Sequence, residues 1–95
     1  MAHIRVGGVD IPIINTEMDD FGQYVSSSGY EIRLSDSISG SLRDMTLIHE
    51  VIHAVSDHYG LEFSEKTVRV LETAVVQIIR DNPVMMSSII ASLGE

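Results

Sequence analysis

The chain has 95 residues and a formal net charge of −8, with six Lys and Arg against fourteen Asp and Glu. That acidity excludes a basic nucleic-acid footprint as the main surface and favours cationic partners or metal ions. The absence of Cys excludes disulfides and thiolate metal sites, leaving four His and the carboxylates as the strong metal ligands.

At this length a single domain over residues 1–95 is expected. Met1 to Asp10 carries Arg5 but is interrupted by Gly7, Gly8 and Asp10, so it lacks the apolar core of a secretory signal. No apolar run approaches the roughly 20 residues that span a bilayer. A cytoplasmic chain with no membrane and no nucleic-acid partner is the resulting expectation.

The first third has β character. His3-Ile4-Arg5-Val6 alternates, Gly7-Gly8 turns, and Val9 to Ile14 resumes, with Pro12 assigning that strand to an edge. Phe21 to Val25 and Tyr30 to Ser35 flank Ser26-Ser27-Ser28-Gly29, which has hairpin-turn composition. Tyr30, Ile32 and Leu34 share one face, as in a half-buried strand.

From about Ser39 the period becomes helical. Leu42, Met45, Ile48, Ile52, Val55 and Tyr59 form the predicted core-facing stripe, and Gly60 stops the helix. Ser64 caps a second helix, with Glu65 favourable in its first turn. Its apolar stripe is Val68, Leu71, Val75, Ile78 and Ile79. Asn82-Pro83 breaks it and starts a short third helix, with Asn82 as cap and Pro83 at the first helical position. There Met85, Met86, Ile89, Ile90 and Leu93 read as core, or in a sharper reading as a dimer or partner surface. Strands precede helices, so the class is α+β: a small N-terminal antiparallel β-sheet, then three helices.

The chemistry lies in His49-Glu50-Val51-Ile52-His53, a match to H-E-x-x-H. At the chain's own His and Glu frequencies the pattern is expected by chance about 0.01 times. Two His four residues apart on a helix differ by about 40° around the axis and about 6 Å along it, so both rings reach one ion. Glu50, about 100° from His49, can stand beside a water on that ion rather than on the metal. The imidazoles border the apolar stripe, where a group from another element can reach them.

The second helix offers that group. Glu72 falls inside the stripe of Val68, Val75 and Ile79. An ionised carboxylate there costs several kcal/mol unless paired. A metal shared with His49 and His53 would pair it; Arg43, Arg69 or Lys66 is the alternative.

Residues 46–54, Thr-Leu-Ile-His-Glu-Val-Ile-His-Ala, resemble the active-site helix of gluzincin-type zinc metallopeptidases. The stretch from Ile32 to Pro83 resembles small phage and prophage proteins related to the ImmA/IrrE and SprT-like metallopeptidases. In them a strand leads into the His-Glu helix, and a helix with a glutamate ligand follows. The resemblance implies Zn2+ held by His49, His53 and Glu72, with Glu50 as catalytic general base. It implies hydrolysis of a protein or peptide substrate, which the strand Tyr30 to Ser35 could align by strand addition. The alternative is a phage-type binding module with a structural or vestigial zinc site and no turnover.

Other ionisable groups have blander readings. His58 points opposite His49 and reads as a surface or helix-end residue. Asp57 is solvated, orients an imidazole, or replaces Glu72. His3 reads as structural or as part of a disordered start. Tyr24, Tyr30 and Tyr59 read as packing residues with wet hydroxyls, each able in principle to polarise a carbonyl.

Overall fold

A computed structural model describes residues 2–94; Met1 and Glu95, the ends of the expected 1–95 domain, lie outside the described residues. Four strands, β1 (His3–Val6), β2 (Val9–Thr16), β3 (Gly22–Val25) and β4 (Glu31–Ser35), precede three helices, α1 (Gly40–His58), α2 (Glu65–Asp81) and α3 (Pro83–Leu93). The expected α+β class is therefore present, with helix limits close to those read from the caps.

The sheet is mixed rather than antiparallel throughout. Its order is β1-β2-β4-β3, with β2 and β4 parallel and the two outer pairs antiparallel. The antiparallel sheet expected from the strand pattern is broken at its centre, where the segment from Glu17 to Phe21 lets β3 lie outside and β4 return beside β2. Pro12 survives in an internal strand because β2 changes partner along its length. Residues Val9 to Pro12 pair with β1, and pairing with β4 begins only at Ile13. Pro12 thus sits where one side of the strand is free, as its missing N–H requires.

Alternation along the strands directs Val6, Ile11, Ile13, Ile32 and Leu34 to one face, where they are buried under α1. Tyr30, expected on that face, lies just before β4 and is exposed. From α1 the sheet receives Leu47, Val51, Ala54 and Val55. The stripe of Met45, Ile48 and Ile52 lies elsewhere on the helix and stays half-exposed. So α1 is apolar on two sides, and the longer stripe was not the one that meets the sheet.

The remaining helices stack outward. α2 packs on α1, and α3 packs on α2, with neither reaching the sheet among the described residues. α1 ends in a Schellman arrangement: Leu61 N–H donates to the Ser56 carbonyl and Gly60 N–H to that of Asp57. Gly60 takes φ of +65° there, which a side chain would resist. The buried Ser56 hydroxyl accepts from Phe63 N–H, tying down the short connection to α2. Ser64 caps α2 by accepting from Thr67 N–H at 3.1 Å.

Two packing expectations are corrected. Only Val68 of the α2 stripe is buried, while Val75, Ile78 and Ile79 are exposed. In α3 no residue is buried, and Met85, Ile89, Ile90 and Leu93 face outward. Asn82 also departs from its expected role. It precedes α3, but its amide donates back to the Ile78 carbonyl and closes α2 instead.

Candidate metal centre

His49 and His53 stand one turn apart on α1, their rings 5.0 Å apart between centroids. α2 returns alongside and brings two carboxylates to them. Glu72 Oε1 lies 2.7 Å from His49 Nδ1. Glu65 spans the other ring nitrogens, with Oε1 3.0 Å from His49 Nε2 and Oε2 3.2 Å from His53 Nε2. Donor atoms of His49, His53 and Glu65 all fall within 4.8 Å of one another, so this group can hold a metal ion.

Glu72, expected as the third metal ligand, reaches His49 alone, at Nδ1, and lies outside the donor group formed by His49, His53 and Glu65. None of the Arg and Lys side chains considered as alternatives pairs with Glu72 among the described residues. Arg43 instead donates to Asn15, and Arg69 lies 3.7 Å from Glu65. Glu65 is the member missed in the sequence. Its first-turn position already had a local reason, but it precedes Glu72 by seven residues, two helical turns on the same face.

The donor chemistry fits a cation such as zinc. Bonds of about 2.0–2.2 Å place tetrahedral donors about 3.4 Å apart, near both histidine–Glu65 separations. His49 has a carboxylate at each ring nitrogen, which a neutral imidazole cannot satisfy with its one N–H. A neutral ring that donates from Nδ1 to Glu72 keeps its Nε2 lone pair for a cation shared with Glu65. A carboxylate on the far nitrogen is the usual way a ligand imidazole is oriented. Three carboxylates, those of Glu50, Glu65 and Glu72, lie beside the two imidazoles, and Arg69, 3.7 Å from Glu65, is exposed.

Glu50 is buried, with 7% of its surface exposed, and lies outside the donor group. Burial raises its pKa above the ordinary carboxylate value, opposed in part by His49, His53 and a hydrogen bond with the Tyr24 backbone. That contact places it at the edge of β3. Phe21 accepts from Ser35 N–H across the ladder, so the alternating Gly22 and Tyr24 backbone groups point away from β4. Gly22 is needed for this approach: a Cβ there would meet the Thr46 methyl at 2.7 Å and the Arg33 carbonyl at 3.2 Å. Without a side chain at Gly22, α1 can lie against β3 beside His49.

β3, α1 and the α1–α2 connection enclose an open cleft of about 700 Å³, lined by Tyr24, His49, Glu50, His53, Asp57 and Glu65 among others. Asp57 is exposed and approaches neither metal-facing imidazole; its Oδ2 accepts from the Tyr24 hydroxyl at 2.7 Å. Burial and that carboxylate raise the Tyr24 pKa, keeping the phenol protonated. His58 is absent from the cleft lining but is half-buried rather than a surface group: its ring is tilted against that of Tyr30, 4.6 Å between centroids, and its Nε2 lies 3.4 Å from the Tyr24 hydroxyl. His3 and Tyr59 are exposed and take no part in the cleft lining.

No protein-family model, curated protein or solved structure matches this chain. Among the described residues no helix is long and apolar enough to cross a membrane.

Proposed function

We propose that the protein is a zinc-dependent metallopeptidase, with Glu50 as general base. The observation that carries this reading is the buried Glu50 carboxylate, held beside the His49–His53–Glu65 group without joining it. A site that only stabilised the fold would have no use for a desolvated carboxylate there. The resemblance of residues 46–54 to a gluzincin helix supports the same reading.

When bound, zinc would supply the Lewis acidity that activates water and polarises a peptide carbonyl. His49, His53 and Glu65 are the proposed ligands, and Glu72 orients His49 through Nδ1. Glu50 takes a proton from the attacking water and delivers it to the departing amine.

The substrate is a protein segment in extended form. β4, the strand first expected to align it, is paired on both sides and has no free edge. β3 is the outer strand and borders the cleft, so its outward backbone groups at Gly22 and the Tyr24 carbonyl would pair with the substrate, the Tyr24 N–H being taken by Glu50.

Glu50→Gln tests the mechanism. Hydrolysis of an unfolded protein substrate should fall by about 10²–10⁴-fold, with zinc content unchanged. Equal hydrolysis by this variant would exclude Glu50 as the base. Zinc retained by a wild-type protein that cleaves nothing would favour the binding-module alternative.

A further inference from the structure

We infer that α2 and α3 form the interface of a homodimer, in which each copy's α3 lies against the other's. This inference is independent of the metallopeptidase reading. It starts from an imbalance of surface. A folded monomer of 10.5 kDa should expose about 5,400 Å². This chain exposes 6550 Å², an excess of about 1,100 Å². Its radius of gyration, 13.8 Å, also exceeds the roughly 12.4 Å of a compact chain of this length.

The excess has an address. Val84 is 83% exposed, Leu93 82% and Ile90 71%, while Ile78 and Ile79 of α2 are nearly half exposed. A helix without a charged side chain, and with most of its large apolar ones exposed, has the composition of an interior element. Standard interfaces bury about 800 Å² per partner, which the excess can supply.

Charge selects a second copy as the occupant. Residues Pro83 to Leu93 include no ionisable side chain, although the chain carries −8. Two such acidic chains repel over most of their surfaces, and α3 is where that repulsion is least. The uncharged face gives a basic or nucleic-acid partner no handle. Around α3 the small residues Ser87, Ser88 and Ala91 share one side with Val84, where a second copy's helix can approach closely about a two-fold axis, and Met85, Ile89 and Ile90 flank the other. Binding along a membrane surface would call for a charged face opposite the apolar one, which α3 lacks.

Sedimentation of the full chain at micromolar concentration tests this. The expected mass is twice 10.5 kDa, falling by half in the Met85→Glu/Ile90→Glu double variant with unchanged circular dichroism. Both residues are exposed in the single chain, so the double variant should fold. A second test uses the absence of native cysteine. Ser88→Cys on α3 should form a disulfide-linked dimer under mild oxidation, and Ser27→Cys, exposed between β3 and β4, should not. A monomeric wild type would overturn the proposal, whether or not it bound phosphatidylcholine–phosphatidylglycerol vesicles. A dimer that persisted in the double variant, or cross-linked equally through Ser27→Cys, would also overturn it.

Discussion

The sheet with α1 and the layer formed by α2 and α3 use apolar residues at comparable density, but only the first closes a core. Ile11, Ile32 and Leu34 are wholly buried between strands and helix. In the outer layer Val68 alone reaches that state, and α3 has no buried residue. The group that can hold a metal ion lies on the seam between the two regions. Its imidazoles stand on the closed side, and Glu65 and Glu72 arrive from the open one. A rigid helix thus presents the histidines, while the carboxylates depend on how firmly α2 is held.

The largest test of this contrast is truncation on each side. Leu34→Ala should cost about 3 kcal/mol, because its neighbours cannot collapse into the space. Val70→Ala, at a position 59% exposed on α2, should stay within about 0.5 kcal/mol of wild type. Paired urea titrations measure both. Similar losses would mean that the outer layer carries an interior of its own.

A smaller effect is expected at the start of α2. Ser64→Ala removes the cap on the Thr67 N–H and should cost about 1 kcal/mol. Because Glu65 follows directly, fraying there should also weaken metal affinity. Calorimetry with and without zinc would detect both changes, and a stability loss with unaltered affinity would separate cap from site.

The smallest effect concerns pH. Burial raises the Glu50 pKa in the fold above its ordinary value of 4.5. The folded state therefore holds the proton more tightly than the unfolded chain. That stabilisation is complete below about pH 4.5 and is lost as pH rises through the raised value. Metal-free Glu50→Gln escapes this loss, so its Tm should exceed that of metal-free wild type at pH 7. The advantage should vanish under acid conditions. An advantage that grew towards low pH would contradict the assigned direction.

Much of the local structure was legible because its causes are local. Ser64, Gly60 and Asn82-Pro83 marked helix ends through backbone chemistry, and alternation placed Ile32 and Leu34 on the buried face. That Glu72 comes close to His49 was legible from its place on the helix face beside Val68 and Val75, but its expected role as third ligand was not met by the donor group, which takes Glu65. Strand order was not, since β2 pairs with β4 across an intervening strand and no nearby residue encodes that choice. The role of Glu65 was hidden by a sufficient local explanation, its favourable place in a first helical turn. α3 misled in the opposite way: its residues are interior in character, but the single chain contains nothing that covers them.

The central claim is that α1 and α2 bring His49, His53 and Glu65 together to hold a metal ion. Elemental analysis of freshly purified protein, alongside His49→Ala, tests it most directly. The account predicts close to one zinc per wild-type chain, lost in the variant, with a Tm that falls on chelation. Wild-type protein that contains no metal, and whose Tm moves with neither added zinc nor chelator, would contradict it.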